Sequence, residues 1–170
     1  MSCTQSDNLS LRQAFQKADF WGKAALALSS WFCAGLLPKA PGTFGTLAGV
    51  PIVFFMNYLG VISGALFLIL FMAVSLWASG VSHKLLGRND PPEIVIDEIA
   101  GFLVTLSLLP LSWFTLISGF LLFRAFDILK PFPIKRLERL GGGAGIVLDD
   151  VLAGIYANLC LRVVIALYAW

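Results

Sequence analysis

Apolar and polar positions fall in long blocks along this chain, and the blocks predict its elements. Between Leu9 and Trp21 the residues Leu11, Phe15 and Ala18 recur at spacings of four and three, with Arg12, Gln13, Gln16 and Lys17 between them. That is the period of a short amphipathic helix suited to a membrane surface. Residues 24–37 form an apolar run of only 14, short of the about 20 that cross a bilayer. Pro38, Pro41 and Gly42 follow at once, so a tilted or re-entrant helix is predicted. From Phe44 to Ser82 there is no charge, and Asn57, Gly60, Ser63 and Gly64 break the run near its middle, as two spans joined by a tight turn would. A polar stretch, His83 to Glu98, precedes 25 uncharged residues, Ile99 to Phe123, interrupted by Pro110 and Ser112. That segment reads as one kinked span or as two short half-helices. The second polar stretch, Arg124 to Asp150, holds Pro131, Pro133 and the run Gly141 to Gly145, and Val151 to Trp170 closes the chain as a further span. The fold class predicted is all-α, a multi-pass membrane bundle with re-entrant or short helices.

Composition agrees with that pattern. Of 170 residues 58% are hydrophobic and 13% charged, against about 25% charged in soluble domains, so an ordinary water-soluble globule is excluded. The length suits one domain: residues 1–23 are expected to be a cytoplasmic amphipathic segment, lacking the features of a secretory signal, and 24–170 a single membrane-embedded domain. A net charge of +2 without a basic block argues against a nucleic-acid partner. Cys3, Cys33 and Cys160 are scattered and form no CxxC pair, so neither a disulfide framework nor a thiolate metal site is indicated. Every basic residue but Arg162 lies outside the apolar runs after residue 37 or in the N-terminal segment, which places those polar segments together on the cytoplasmic face. The placement holds only if 24–37 does not cross, 44–82 crosses twice, and 99–123 dips in and returns.

The acidic residues carry the main chemical signal. Eight of the ten lie in two stretches, Asp90, Glu93, Asp97 and Glu98, then Asp127, Glu138, Asp149 and Asp150. Carboxylates abutting apolar helices are tolerated where they line a polar cavity or pair with a cation. Asp97 and Glu98 stand directly before one apolar run and Asp149 and Asp150 before another, in or near a first helical turn whose dipole favours anions. One Asp at each place is explained by helix capping, but a second adjacent acid exceeds that need. Arg124, Asp127 and Lys130, spaced by three, share a helix face ended by Pro131. Hard oxygen ligands of this kind suit Mg²⁺, which binds one or two carboxylates together with water and phosphate.

Leu37 to Thr46, LPKAPGTFGT, reads as a glycine-bearing loop with hydroxyls and a lysine before an apolar helix, an arrangement that either binds an anion or merely turns the chain. It lacks a Walker A ending. The Gly141 to Gly145 run reads as a flexible hinge or a phosphate-cradling nest. His83, the only histidine, excludes a multi-histidine zinc centre within one chain and gives serine hydrolysis little support. Arg162, inside the last apolar run, is expected to snorkel or pair with an acid.

Four blocks in order, LPKAPGTFGTLAGVP, DPPEIVIDEIAG, FRAFDILKPFPIKRLE and GGGAGIVLDDVLAG, closely resemble the bacterial phosphatidylglycerophosphatase A family, over about residues 20–160. The resemblance implies a magnesium-dependent phosphatase of the bacterial inner membrane, its site facing the cytoplasm, that removes the terminal phosphate of phosphatidylglycerophosphate to leave phosphatidylglycerol. The catalytic set it implies is Asp97, Glu98, Asp127, Lys130, Asp149 and Asp150. Asp90, Asp97, Glu98, Asp149 and Asp150 are then the expected ligands of Mg²⁺, and Lys39, Thr43, Thr46 and Arg124 the expected phosphate contacts. Asp127 is an alternative nucleophile to water. A homodimer is conceivable, because one chain offers few helices to enclose a lipid head group. Two other readings stay open: a phosphatase of another lipid phosphate such as phosphatidic acid, and a divalent-cation binding or transport protein. Lys39, Arg124 and Lys130 argue against the last, since a cation pathway gains nothing from them.

Overall fold

The computed structural model describes residues 10–32, 34–36, 40–88, 91–137 and 140–168. Those residues are helical throughout, with turns and loops between helices and no strand among them. The amphipathic start is α1, Leu11–Lys17, closed at its N-terminus by a capping box between Ser10 and Gln13. Its buried face is Leu11 and Ala14, whereas Phe15 is exposed, so the helix settles on the bundle through a smaller residue than the sequence period suggests. Helix α2, Phe20–Ser29, begins at an Asp19 cap whose carboxylate accepts from the Gly22 N–H at 2.9 Å. A short 3-10 turn, Ala34–Leu36, follows it.

The uncharged 44–82 block departs from two equal spans. Its first half is a pair of short helices, α3 Pro41–Ala48 and α4 Val50–Tyr58, which meet at Gly49 with Pro51 just beyond the junction. Proline at a first helical turn starts a helix without loss of a hydrogen bond but cannot continue the preceding one. Gly60, with φ 79°, turns the chain into α5, Val61–Leu86. Helix α5 therefore absorbs His83 and Lys84 and stops only at Gly87, which adopts the left-handed conformation with φ 67°.

Residues 99–123 are two helices, the second of the two readings. Helix α6, Ile96–Leu106, is 11 residues long, roughly 16 Å, too short to span. Helix α7, Trp113–Leu129, starts at a capping box between Ser112 and Thr115. After the short α8, Ile134–Leu137, the chain ends in α9, Gly142–Tyr168. Among the described residues, helices α5 and α9 are the two long and apolar enough to cross a membrane. At 26 residues each apolar stretch extends roughly 39 Å, beyond the about 30 Å of a hydrocarbon core. Large apolar side chains such as Ile62, Leu66, Ile69, Leu121 and Val163 point outward from them and from α7, the surface of a helical membrane protein rather than of a soluble domain.

The core forms where α6 packs on α9, the most extensive helix pairing, with Ile99, Phe102, Leu103, Phe123 and Leu161 fully buried around it. Gly101 and Gly154 make the approach possible. A Cβ on Gly101 would stand 2.5 Å from the Asp150 carbonyl and 2.6 Å from the Phe123 ring, and one on Gly154 would overlap the Gly101 carbonyl. Each glycine lies one turn beyond an acid, Asp97 before Gly101 and Asp150 before Gly154. Crossing the two backbones at the glycines therefore sets those carboxylates side by side.

Candidate active site

A polar cavity of about 170 Å³ opens at the shared end of these helices. Pro41 and Gly42 from α3, Pro91, Pro92 and Ile94 from the preceding loop, Asp97 and Glu98 from α6, Asp127 and Lys130 from the end of α7, and Ile146, Asp149 and Asp150 from α9 form its walls. The N-terminus of α6 and the C-terminus of α7 thus lie at one end, so the chain goes in along α6 and returns along α7. A second and larger cavity, about 460 Å³, is apolar and lies elsewhere, between α4, α5 and the 106–111 turn.

Asp97 and Glu98 occupy the first turn of α6, as expected, but neither caps it: the N-cap is Val95, which supplies no side-chain bond. Asp149 and Asp150 are not at a helix start. Because α9 begins at Gly142, the glycine run is helical from there on and the two acids sit about two turns in. Gly143 explains why this run is not a hinge: it packs on the backbone of Gly80 in α5, where any Cβ would collide. Close helix packing, not chain flexibility, is what that glycine serves.

Two cations organise the carboxylates. Lys130 Nζ donates to Asp149 Oδ2 at 2.7 Å, and Arg124 Nη1 donates to Asp127 Oδ2 at 2.6 Å and to Glu98 Oε1 at 3.3 Å. Lys130 ends α7 in the left-handed region with φ 40°, which takes its side chain out of the helix line and across to α9. Asp149 Oδ1 also accepts the N–H of Asp150 at 3.0 Å. Asp97, Asp149 and Asp150 are only 6%, 5% and 4% exposed. Asp150 lies among the carboxylates of Asp97, Asp127, Asp149 and Glu98, and no basic side chain among the described residues pairs with it. Buried like charges of this kind are stable only with a cation between them or with protons taken up.

The donor set, carboxylate oxygens with room for water, is that of a hard divalent cation such as Mg²⁺. Among the described residues no three His, Cys, Asp or Glu side chains converge as a ready-made metal cage. Mg²⁺ asks for less, because it commonly keeps several waters and takes one or two protein carboxylates plus phosphate. Asp97 and Asp150 fit that role.

Several expected contacts fall elsewhere. Thr46 is fully buried and its hydroxyl donates to the Gly42 carbonyl at 2.9 Å inside α3, away from the cavity. Thr43 is half-buried and absent from the cavity wall. Both follow from one fact: the stretch from Pro41 is a helix, not a loop, so its side chains spread around an axis. Arg124 stands behind Glu98 and Asp127 rather than in the wall. Lys39, Asp90 and Glu138 lie outside the described residues. Glu93 pairs with Arg88 at 2.6 Å, outside the cavity. Among the described residues Arg162 meets no acid: its Nε donates to Asn158 Oδ1 at 2.8 Å and its Nη2 to the Leu108 carbonyl at 3.3 Å.

The sequence pointed to Gly42 as part of a ligand-binding loop but did not reveal the packing role that it and its neighbours play here. A Cβ on Gly42 or Gly45 would collide with the Glu98 carboxylate, so the two glycines, three apart on one face of α3, form the bed on which Glu98 rests. Asn158 was overlooked as well. Its amide donates to the carbonyls of Thr105 at 2.8 Å and Ser107 at 2.9 Å, closing the C-terminal end of α6. The available signals were the two glycines three apart in PGTFG and a polar Asn in an apolar helix.

A Haemophilus influenzae protein named phosphatidylglycerophosphatase A is 41% identical over 146 residues, 84% of this chain and 88% of that protein. An Escherichia coli K12 protein of the same name is 36% identical over 130 residues, 75% of this chain and 76% of its own length. A Bacteroides thetaiotaomicron protein with the provisional name phosphatidylinositol-3-phosphatase is 32% identical over 145 residues, 80% of this chain and 90% of its own. No solved structure matches the chain. The family model described as phosphatidylglycerophosphatase A matches residues 27–165, and the chain belongs to that family of phosphatase enzymes.

Proposed function

We propose that this chain is a magnesium-dependent lipid phosphatase of the bacterial inner membrane, multi-pass, with its polar cavity at the cytoplasmic face, and that it converts phosphatidylglycerophosphate to phosphatidylglycerol. The observation that carries the reading is the convergence of Asp97, Glu98, Asp127, Lys130, Asp149 and Asp150, from three helices, on one cavity at the end of an apolar bundle. A phosphate monoester at a membrane surface needs its negative charge offset and its phosphorus aligned with a nucleophile.

Asp97 and Asp150 would hold Mg²⁺, with Asp149 and Glu98 nearby to orient its waters. When bound, Mg²⁺ supplies Lewis-acid neutralisation of the phosphoryl oxygens. Lys130, in the cavity wall and fixed by Asp149, adds a second positive charge beside the phosphate. Asp127, held by Arg124, accepts the proton of a water that attacks phosphorus as the bond to the glycerol oxygen breaks; that proton then passes from Asp127 through solvent to the glycerol oxygen, so that inorganic phosphate and the lipid alcohol leave. The alternative step, attack by Asp127 itself, leaves a phosphorylated aspartate that trapping would reveal.

The test is phosphate release by the purified chain in detergent micelles, with phosphatidylglycerophosphate, phosphatidic acid and phosphatidylinositol 3-phosphate, each with Mg²⁺ and with chelator. The expected result is chelator-sensitive release, fastest from phosphatidylglycerophosphate. Faster release from the inositol lipid favours the activity in the Bacteroides relative's name, and chelator-insensitive release removes the magnesium reading.

A further inference from the structure

The apolar cavity has a defined relation to the polar one. Helices α3 and α4 run along α6: Gly45 faces Val95 and Glu98, Gly49 faces Ile99 and Phe102, and further along Val53, Met56 and Leu106 share the wall of the apolar cavity. From Asp97 in the first cavity to Leu106 in the second is nine residues of one helix, roughly 14 Å. From Asp150 to Asn158, which binds the end of α6, is eight residues of α9, roughly 12 Å. Half the thickness of a hydrocarbon core is about 15 Å. A lipid with its phosphate among the carboxylates therefore has its chain at the depth of the apolar cavity.

The cavity's size and lining suit hydrocarbon. Its about 460 Å³ falls inside the roughly 300–1,000 Å³ of small-ligand sites. Val61, Ala65, Leu68, Ile69 and Leu109 line it, and Gly60 and Gly64 leave it open where α4 turns into α5. A Cβ on Gly64 would stand 2.8 Å from the Met56 carbonyl, so that glycine also lets the two helices close around the space.

We propose that this cavity is an acyl-chain site: it holds one hydrocarbon chain of the lipid phosphate whose head group occupies the polar cavity. The inference rests on the lipid-phosphatase reading and adds to it a determinant of chain length. The chain already lies in hydrocarbon when it enters, so the gain is not transfer from water. It is close packing and fixed register, which hold the phosphate at one depth against the carboxylates.

The test compares long-chain and dibutyryl forms of phosphatidylglycerophosphate at equal surface concentration in micelles, for the unmodified chain and Ala65→Phe, with Ala65→Ser as control. Ala65 is exposed and lines the cavity. The expected result is that the unmodified chain prefers the long-chain lipid about tenfold, and that Ala65→Phe removes the preference while leaving the short-chain rate unchanged. A terminal diazirine on the acyl chain should label peptides containing residues 61–69 or 106–111, a readout independent of turnover. An unmodified chain indifferent to length, an Ala65→Phe variant that keeps the preference, equal loss on both lipids, or labelling confined to other peptides overturns the acyl-chain site. No release from either lipid by the unmodified chain overturns the phosphatase reading itself.

Discussion

Arg124 offers the sharpest single perturbation. Its Nη1 serves two carboxylates on different helices, Asp127 at 2.6 Å and Glu98 at 3.3 Å, and its side chain is 16% exposed, with theirs at 13% and 15%. Removing one partner of a buried pair leaves charge without compensation and costs about 3–5 kcal/mol. The residual exposure places Arg124→Ala near the lower bound, about 3 kcal/mol. For a chain of this size that lowers the melting temperature by roughly 6–12 °C. Activity falls for a second reason: freed of the guanidinium, Glu98 and Asp127 repel, and a displacement of about 1 Å at a reacting group costs on the order of 100-fold in turnover. Arg124→Lys keeps the charge but, on a side chain one bond shorter, does not place it where Nη1 meets both acids, and should recover much of the stability with little of the rate. Phosphate release and thermal unfolding in the same detergent measure both. In the Asp127→Asn background the loss of Arg124 should cost far less than it does alone, because the two act as one unit. An Arg124→Ala protein that melts like the parent and changes only KM would instead mark a solvent-facing phosphate contact and refute the clamp.

Three further outcomes follow from the geometry. Gly42→Ala puts a methyl on the Glu98 carboxylate, which can swing aside, so turnover should drop about tenfold or more with little change in melting; an unaffected rate means that Glu98 is dispensable. Thr46→Val loses only a bond within α3, about 1 kcal/mol, and should leave KM for the lipid phosphate unchanged, whereas a raised KM restores the hydroxyl as a substrate contact. Asn158→Leu strands the carbonyls of Thr105 and Ser107 and should cost about 2 kcal/mol, read as a lower melting temperature.

Much of this architecture is written locally and the rest is not. The first-turn position of Asp97 and Glu98 was legible because an apolar run beginning beside them fixes where α6 starts. The meeting of Arg124 with Asp127 was legible from their spacing of three. The depth of Asp149 and Asp150 in α9 was not, because Gly141 to Gly145 has the lowest helix propensity in the chain apart from its prolines. Contact with α5 at Gly80 overrides that propensity, and contact between distant segments leaves no local trace. The Pro41 to Thr46 stretch misleads in the same way: its glycines look like a loop but serve to seat Glu98. Arg162 looked anomalous in an apolar run until the fold supplied Asn158 and the end of α6 as partners.

On the proposed function, phosphate is removed in the carboxylate cavity, at Asp97 and Asp150. The measurement that bears on it most directly is chelator-sensitive phosphate release from phosphatidylglycerophosphate by the parent chain, Asp97→Asn and Asp150→Asn, with Mn²⁺ binding followed on the same samples by paramagnetic resonance. Both variants should stay folded, bind Mn²⁺ weakly and release essentially no phosphate. Parent-like turnover in either folded variant contradicts it.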